Sequence, residues 1–532
     1  MIHNRGLATL SSLLLIPALL LGSVPVRADL RPLSAADSEQ GKQSRWEQYL
    51  GEAKSVAVEV REPNTVEFRT DRPREQVEIK EVTADQIQGM RLVNHNNAPI
   101  KVLMILVEKT LDEVQEMIDV VIAVNKENTL DPKEKLKIQL ICTSPQTFRK
   151  LKVTQENFDK YIEYNRYINA AMEDIWMQDW GEIAMVEVAG EEHAQLVIFD
   201  TNRGRGGLAP LPAVLAKMWS GYYHKLSRSG GAGNYGGNIE VTPDNVLMIG
   251  DTSTPELRDL LTSRGYADRI ALMHTSWLNV GHADEFMTTI PNKDAPRGYT
   301  VIRVDPNMAL DLFAQVPREQ LDTEMKGLVN SLYKNYSVHP TGVDQGREES
   351  YSSKLFNRLY AMHAVLNDYT PSADVLGEES VESALDDARK TIEDNHKAAT
   401  FIEANMVLLE NAVKSASGDT TTPLEIKTIP GLFEPFGWGN TTVALTPGAA
   451  NMVVLRDHLA VPDPLLKCHR DAMKQTFDSI NVRSHFIPDA SYHYFAGQLH
   501  CGTNVFRHPN RHVVPENRGA ERADKFRRLG AE

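Results

Sequence analysis

The strongest constraint on the fold is a strand-helix-strand pattern between residues 100 and 142. Residues 100–107 are almost all apolar, as expected of a strand that is buried on both faces. The following segment places apolar side chains at helical spacing and begins with Thr110 and Glu113, the sequence signature of a capping box. A second apolar run, residues 136–142, closes a β-α-β unit. The pattern therefore predicts an α/β architecture.

The same alternation continues along the chain. Further strands are predicted at residues 196–200, 246–251 and 270–274, and a helix at residues 255–263. A charged stretch over residues 383–413 gives the longest predicted helix. No strict sequence repeat is visible, so any internal symmetry would lie in the structure alone.

The texture of the sequence divides the chain into four parts. Residues 1–28 form a predicted signal peptide, residues 29–95 a short segment with small strands, residues 96–510 a large α/β domain, and residues 511–532 a polar tail. The sequence after Phe506 is polar and rich in arginine, which predicts a loosely held end.

The first 28 residues have the features of an export signal. Arg5 precedes an apolar stretch over residues 7–24, and Ala28 ends a segment of the kind that a signal peptidase reads. A retained membrane anchor is the alternative, but breaks such as Pro17 interrupt the stretch, and no cysteine follows it to accept a lipid. The sequence therefore predicts an exported protein, periplasmic or secreted, without a stable membrane anchor after cleavage.

Composition narrows the class of protein and the class of ligand. The chain is 42% hydrophobic and 24% charged, which excludes disorder as the default. Its formal net charge of −15 argues against a nucleic-acid surface and favours cationic ligands such as arginine-containing peptides. The three cysteines cannot all pair with one another. Cys142 belongs to a buried strand pattern and Cys468 to the polar part of a predicted helix, so Cys501 is the candidate reactive thiol.

Four segments concentrate the polar residues that carry chemistry: residues 176–182, 200–207, 277–286 and 500–504. Each has a plainer interpretation. Trp176 could be core, and His282 could be a structural histidine. The glycine-rich segment 200–207 lacks the lysine and hydroxyl of a phosphate-binding P-loop. A metal site of His282, Asp284 and His500 is conceivable, but the histidines are not spaced as a helical pair and Cys501 would stay unexplained.

A cysteine, a histidine and two aspartates together suit a planar cation. Two carboxylates can bind a guanidinium through forked, charge-assisted hydrogen bonds and hold its central carbon still. A thiolate can then attack that carbon. An imidazole can deliver a proton to departing ammonia and take one from the hydrolytic water.

Three of these segments, 176–182, 277–286 and 500–504, resemble the motifs of the catalytic domain of protein-arginine deiminases, in the same order. The resemblance covers about residues 97–510. It implies that Cys501 is the nucleophile, that His282 is the general acid and base, and that Asp179 and Asp284 bind the guanidinium. The substrate contacts that it implies are Trp176, Arg203, Arg205 and Val280, with Arg205 holding backbone carbonyls.

The implied fold is the pentein propeller, five ββαβ-like units around a central channel. The implied reaction is hydrolysis of peptidyl arginine to citrulline and ammonia through a thiouronium on Cys501. Two alternatives stay open: a pentein enzyme that acts on a free guanidine such as arginine or agmatine by hydrolysis or amidino transfer, and a pentein that only binds.

The resemblance also implies one calcium site beside the catalytic cleft. Its ligands would be Gln178, Glu182 and Glu240, with the backbone carbonyls of Gly236 and Ile239. A second family site is expected to be lost, because Trp180 and Gly204 stand where the family has an acid and an asparagine, which leaves Asp200 and Thr201 with too few partners. The short segment of residues 29–93 cannot hold the immunoglobulin-like domains of animal members, so the calcium sites of those domains are expected to be absent. Phe495 replaces an arginine that some members carry.

Overall fold

The structure, a computed structural model, describes residues 80–128, 135–142, 144–166, 174–203, 209, 211–219, 221–321, 345–372, 376, 380–436 and 441–513. The predicted signal peptide, most of the predicted N-terminal segment, Gly204 and Arg205 therefore lie outside the described residues. Most of the predicted polar tail does so as well.

Strands and helices alternate through the described chain. The strands are β1 Lys80–Glu81, β2 Ile87–Leu92, β3 Asn97–Leu106, β4 Lys137–Cys142, β5 Ile162–Arg166, β6 Gly181–Val188, β7 Gln195–Asp200, β8 Tyr222–Lys225, β9 Ile239–Val241, β10 Leu247–Gly250, β11 Ile270–Met273, β12 Met287–Pro291, β13 Tyr299–Asp305, β14 Glu425–Pro430, β15 Phe433–Pro435, β16 Thr442–Ala444, β17 Val453–Leu455, β18 His458–Pro462, β19 Arg483–Ile487 and β20 Thr503–His512.

The helices connect these strands. They are α1 Leu111–Glu127, α2 Pro145–Phe148, α3 Gln155–Tyr161, α4 Leu211–Met218, α5 Pro255–Leu261, α6 Pro306–Ala314, α7 Gln345–Leu366, α8 Val381–Ser417, α9 Lys467–Ser479 and α10 Ala490–Tyr494. The protein is thus a mixed α/β fold. None of the helices in the described ranges has a stretch apolar and long enough to cross a membrane.

One pairing pattern recurs five times among the described strands: two antiparallel strands, then a helical connection to a third strand that runs parallel to the second. The five units are β20-β3-β4, β6-β7-β8, β9-β10-β11, β12-β13-β14 and β17-β18-β19. In the first unit a strand near the end of the described chain, β20, pairs antiparallel with an early strand, β3. The internal repetition is therefore structural, without a repeat in sequence.

The β-α-β unit predicted near residue 100 is present. Strands β3 and β4 pair in parallel, and α1 buries the apolar face that includes Val114, Met117 and Ile118. The predicted capping box is wrong. The Thr110 hydroxyl donates to the Ile105 carbonyl at 2.8 Å, and Glu113 accepts the backbone N–H of Ser491 at 3.1 Å instead of the amide of Thr110. A carbonyl five residues earlier and an amide of a distant segment have replaced the expected pair.

The long charged helix is also present, as the 37 residues of α8. Two buried asparagines fix it to neighbouring strands through backbone groups. Asn395 donates to the Phe433 carbonyl at 2.7 Å, and Asn405 donates to the His274 carbonyl at 3.0 Å. A helix with a mostly polar sequence is thereby held in the core, because the asparagines satisfy buried backbone groups.

The expectation of a loose end directly after Phe506 is wrong as far as His512. Strand β20 continues to that residue and pairs with β3. The buried Arg507 guanidinium donates to the Val454 carbonyl at 2.8 Å, which ties this strand to the unit beside it. At the other end of the described chain, β1 pairs with β8 and β2 pairs with β6, so both strands belong to a sheet of the large domain.

Candidate active site

Cys501 lies in the turn that joins α10 to β20. Its backbone N–H donates to the side-chain oxygen of Asn451 at 3.1 Å, and its carbonyl accepts the N–H of Gln178 at 3.0 Å. A β-carbon at the neighbouring Gly502 would lie 2.3 Å from the Tyr492 ring, so only glycine fits there. The thiol is buried, 6% exposed, in a turn that is fixed on both sides.

His282 precedes a short 3-10 helix, Ala283–Glu285, and its N–H donates to the Glu285 carboxylate at 2.9 Å. Its ring nitrogen Nε2 lies 2.9 Å from the Ala232 carbonyl, which can only accept, so Nε2 carries a hydrogen. The other nitrogen, Nδ1, is buried and has no hydrogen-bond partner among the described residues. In the neutral ring Nδ1 is therefore a lone pair that is free to take a proton.

Asp284 stands between the imidazole and the thiol. Its Oδ1 lies 4.0 Å from His282 Nδ1 and likewise lacks a hydrogen-bond partner among the described residues, while its Oδ2 lies 3.8 Å from Cys501 Sγ. One ligand atom from each of the three residues lies within 4.8 Å of the others. A β-carbon at Gly237 would lie 2.6 Å from His282 Nδ1 and 2.8 Å from Asp284 Oδ2, so the glycine leaves this space open.

A second histidine, His500, also contacts Asp284. Its Nδ1 donates to Asp284 Oδ2 at 2.9 Å, which leaves Oδ1 of that carboxylate for another donor. Burial lowers the pKa of His500, but the hydrogen bond that it donates to Asp284 and the charge of Glu240 outweigh this effect, so the net shift of the pKa is upward. The sequence placed His500 only in an alternative metal site, and its position beside Cys501 was the one signal of this contact.

The thiol is protonated in this environment. Burial raises the pKa of Cys501 well above its ordinary range, and the negative charges of Asp284 and Asp179 raise it further. A positive charge beside the sulfur would reverse that effect. The site therefore favours a thiolate when a cation lies between the two carboxylates.

Asp179 is occupied by an arginine of the same chain. Arg203 Nη2 lies 3.0 Å from Asp179 Oδ2, and the same guanidinium pairs with Asp174, with Nη1 2.8 Å from Oδ2. The structure thus brings a predicted substrate contact, Arg203, onto a predicted guanidinium ligand. Asp174 was not predicted, although it lies two residues before Trp176 in the sequence.

Of the other predicted substrate contacts, the structure describes Trp176 and Val280, and Arg205 lies outside the described residues. Trp176 is half-buried, with its ring 5.6 Å from that of Tyr492, and Val280 is half-buried in the loop before Gly281. Phe495 is 46% exposed, and the ammonium of Lys109 lies 4.3 Å from its ring centroid. Phe495 and Lys109 thus present an aromatic ring and an ammonium group where some family members carry an arginine.

A separate cavity of about 40 Å³ lies beside the catalytic cluster. Gln178, Glu182, Ile239 and Glu240 line it, and Gln178 donates to Glu182 Oε1 at 3.0 Å. A β-carbon at Gly236 would lie 2.7 Å from that carboxylate oxygen. The five predicted calcium ligands are therefore neighbours, around a space that can hold an ion or water.

The carboxylates in this cavity are destabilised in their charged form. Burial raises the pKa of Glu182 well above its usual range, and the charges of Glu240 and Asp284 add to the shift. Burial raises the pKa of Glu240 to about 7. Two adjacent buried carboxylates suit a hard divalent cation, which would let both ionise. His95, His500 and Arg507 form another part of the wall, so positive charge is also present there.

The residues left over from the second family site have other partners. Asp200 accepts the Tyr223 hydroxyl at 2.5 Å and the Asn202 N–H at 2.7 Å. Trp180, at the position of the family's acid, is 1% exposed and belongs to the core. Protein donors thus hold Asp200.

These contacts place a thiol, an imidazole and carboxylates in one buried cluster. His282, Asp284 and Cys501 are residue types that can attack and bind a planar cation or hold a transition metal such as zinc. Comparison with known sequences shows the family. A profile of the family described as Protein-arginine deiminase matches residues 160–512, which is most of the chain, and the chain belongs to that family.

Curated relatives and solved structures that are similar to the chain include the following. Human protein-arginine deiminase type-4 is 25% identical over 368 residues, which cover 64% of this chain and 47% of the relative. The mouse type-4 protein is 26% identical over 379 residues, covering 65% of this chain and 49% of the relative. The chain thus spans about half the length of the curated relatives that it matches. A substrate-bound agmatine deiminase of C. jejuni overlaps with a TM-score of 0.43 at 10% identity, covering 79% of this chain and 97% of that one.

Proposed function

We propose that this protein hydrolyses the guanidinium of peptidyl arginine to citrulline and ammonia. The observation that carries the proposal is the cluster of Cys501, His282 and Asp284, in which one ligand atom of each residue lies within 4.8 Å of the others. Among the described residues, His282 Nδ1 and Asp284 Oδ1 have no hydrogen-bond partner. A nucleophile, a base and an acceptor for a cation are the groups that this reaction needs. Membership of the protein-arginine deiminase family supports the same chemistry.

The first half of the reaction forms a covalent intermediate. A guanidinium bound to Asp284 and Asp179 supplies the positive charge that the Cys501 thiol needs to ionise, and His282 Nδ1 takes its proton. The thiolate forms a bond to the guanidinium carbon. The imidazolium then returns that proton to one amino group, the carbon–nitrogen bond breaks, ammonia leaves, and an S-alkyl thiouronium remains on Cys501.

The second half hydrolyses the intermediate. His282, neutral again, takes a proton from water while the oxygen attacks the same carbon. The carbon–sulfur bond then breaks and the electron pair returns to sulfur, which recovers the proton from His282. The remaining hydroxyl proton is lost to the ammonia that was released in the first half, so the products are the neutral urea of citrulline and ammonium. Atoms and charge balance for one water consumed.

Trp176 and Val280 are proposed to enclose the arginine side chain, and Arg205 to bind backbone carbonyls of the substrate. Peptides and proteins that contain arginine are the proposed substrates. The names of the relatives support this choice over a free guanidine, since they are protein-arginine deiminases.

The decisive assay measures ammonia release from a benzoyl-arginine amide beside free arginine and agmatine at equal concentrations. We expect release from the blocked arginine, with the free compounds much slower. Preferential turnover of agmatine or free arginine would replace peptidyl arginine by a small guanidine as the substrate. Transfer of the amidino group to an added amine without ammonia would show an amidinotransferase.

Calcium is the proposed cofactor. Gln178, Glu182 and Glu240 would hold it through side chains, and Gly236 and Ile239 through carbonyls. When bound, the ion would neutralise the paired carboxylates of the cavity. Gln178 adjoins Asp179 in sequence and its N–H donates to the Cys501 carbonyl, so order in the cavity would reach both halves of the site.

The repeated strand pairing and the first 28 residues support two further proposals. The five ββαβ units are proposed to be the blades of a pentein propeller, since each repeats the same strand pairing. Export to the periplasm or beyond the cell is proposed from residues 1–28. Fractionation of cells that express the full chain, with N-terminal sequencing of the product, tests export.

A further inference from the structure

The guanidinium of Arg203 is bound in the way that a substrate guanidinium would be. Nη1 lies 2.8 Å from Asp174 Oδ2, and Nη2 donates to Asp174 Oδ1 at 3.0 Å, which makes a two-point fork. Nη2 also lies 3.0 Å from Asp179 Oδ2, and Nη1 donates to the Trp176 carbonyl at 3.4 Å. Four oxygen contacts therefore surround one planar cation.

The surroundings of this guanidinium are those of a built site. The Arg203 side chain is only 2% exposed, and its Cζ lies 5.4 Å from the centroid of the Tyr235 ring. Forked pairing with a carboxylate and contact with an aromatic face favour a guanidinium group over an ammonium group. The pocket of Asp174, Asp179, Tyr235 and the Trp176 carbonyl is thus a guanidinium site.

This site overlaps the one that the proposed function requires. Asp179 is the carboxylate that would bind the substrate guanidinium together with Asp284. Asp284 Oδ1 lacks a hydrogen-bond partner among the described residues and lies 4.0 Å from His282 Nδ1, whereas Asp179 Oδ2 lies 3.0 Å from Arg203 Nη2. One carboxylate oxygen cannot give its full charge to two cations at hydrogen-bond distance.

We propose that Arg203 is an internal competitor of the substrate: it occupies Asp179 in the resting chain, is anchored there by Asp174, and must release Asp179 before a substrate guanidinium binds. The proposal rests on the proposed function and gives Arg203 a role opposite to that of a substrate-holding residue. It also assigns Asp174, which lies outside the catalytic set, as the anchor.

Because Arg203 occupies Asp179, the apparent affinity for a substrate guanidinium is reduced in proportion to the fraction of molecules in which Arg203 has released Asp179. A cation that contacts only Asp179 gains too little binding free energy to offset the loss of the contact between Asp179 and Arg203. A guanidinium that also reaches Asp284 and Cys501 gains further contacts, so the device favours ligands that engage both halves of the site. It acts on substrate discrimination without any change in the reacting groups.

The test uses ethylguanidinium, which has the reacting group but no carbonyl or carboxylate that Arg203 could hold. Its binding to the full chain is measured by calorimetry in a Cys501→Ala background, with and without Arg203→Gln. We expect Arg203→Gln to tighten binding on the order of tenfold, as for release of a conformational cost of that size. Unchanged or weaker binding would overturn the proposal, because a substrate-holding or indifferent Arg203 gives one of those results.

A simple change of charge must be separated from release of a forked site. Propylammonium has the same charge as ethylguanidinium but lacks its fork, so general electrostatic relief would help both probes equally. We expect the gain to be several-fold larger for ethylguanidinium, and equal gains would contradict the competitor. Arg297→Gln is the matched control, since Arg297 is also buried and paired with a carboxylate, Asp244, outside the site. It should leave both affinities unchanged.

Removal of Arg203 leaves Asp174 and Asp179 facing each other without a cation, which could prevent folding. The double variant Arg203→Gln with Asp174→Asn removes the excess charge and should also bind ethylguanidinium more tightly than the parent, with melting curves to establish that it folds. If the parent releases ammonia from blocked arginine but neither variant binds ethylguanidinium more tightly, the competitor fails and the proposed function stands. Should the wild-type chain release no ammonia from any guanidine, the proposed function fails first.

Discussion

The two halves of the site handle a carboxylate in different ways. Around Cys501, Asp284 is fixed by His500 and keeps one oxygen without a hydrogen-bond partner among the described residues. Across the site, Asp179 is paired with Arg203. The half of the site around Asp284 therefore offers a carboxylate oxygen to a cation. The half around Asp179 already holds the guanidinium of Arg203, so a second cation would have to compete for that carboxylate.

The largest effect is expected from removal of the Cys501 thiol, the proposed nucleophile. Cys501→Ala and Cys501→Ser should lower deimination by roughly 10⁴-fold or more with the fold intact, because an alcohol ionises far less readily than a thiol. Ammonia release and circular dichroism check the two parts of this statement. A haloacetamidine should label Cys501 in a mass spectrum. Label on Cys142 or Cys468 with unchanged activity would place the nucleophile elsewhere.

The next largest effects are expected from substitution of Asp284 and Asp179. The contrast between the contacts of these two carboxylates predicts that the losses of activity differ. Asp284→Asn and Asp179→Asn should each lower kcat/KM by roughly 10²-fold or more, about 3 kcal/mol, since a buried cation loses one partner. The loss should be larger for Asp284, because this residue also contacts His500 and lies beside the thiol. Near-normal turnover of blocked arginine by either variant would mean that the guanidinium binds elsewhere.

A smaller effect concerns the cavity beside both halves. Calorimetry of the chelator-stripped protein should find one calcium ion, and Glu240→Gln should abolish binding, while Glu192→Gln, an exposed carboxylate, should not. Activity should fall on chelation. Burial raises the pKa of Glu240 to about 7, so protons compete with the ion and affinity should decrease as the pH falls through that value. Full activity in excess chelator, with no ion bound at millimolar calcium, would remove the metal.

The smallest expected effect is a shift in a pH profile. Burial and the charges of Asp284 and Asp179 raise the pKa of Cys501, so its thiolate fraction grows only at high pH. Alkylation by neutral iodoacetamide should therefore keep rising beyond the ordinary thiol pKa of about 8.5. A cationic haloacetamidine should react at lower pH, and Asp284→Asn should move the iodoacetamide profile downward. Identical profiles for the two reagents would show that no cation assists the thiol.

The sequence predicted which residues gather in the candidate site better than it predicted their contacts. Cys501 stands in one segment, His282 and Asp284 stand together in another, and the structure brings the three residues together. The sequence grouped His500 with Asp284 only as ligands of an alternative metal site, and the hydrogen bond between these two residues, which are 216 positions apart, did not follow from their spacing. Nor did it show that Arg203 would turn toward Asp179, since local residue types do not fix the direction of a long side chain.

The helices and strands were predicted where the sequence signal is local. A continuous apolar run predicted β3 and apolar residues at helical spacing predicted α1, because burial of an apolar face determines such segments. A charged stretch predicted α8. The capping box failed because the Thr110 hydroxyl donates to the nearby carbonyl of Ile105 and Glu113 accepts from the distant Ser491. The sequence after Phe506 looked solvent-exposed by composition, yet Arg507 is buried and donates to the backbone carbonyls of Asn97 and Val454, which are distant in sequence.

The pairing of β20 with β3 has a consequence for the order of synthesis. Thr503 is registered against Met104, so the turn that carries Cys501 can take its place only after about four hundred further residues have been made. A pairing between such distant segments closes slowly compared with local hairpins. Until that pairing forms, the Cys501 thiol is not held beside Asp284. The cluster that the structure shows is therefore assembled only after β20 has been made and has paired with β3.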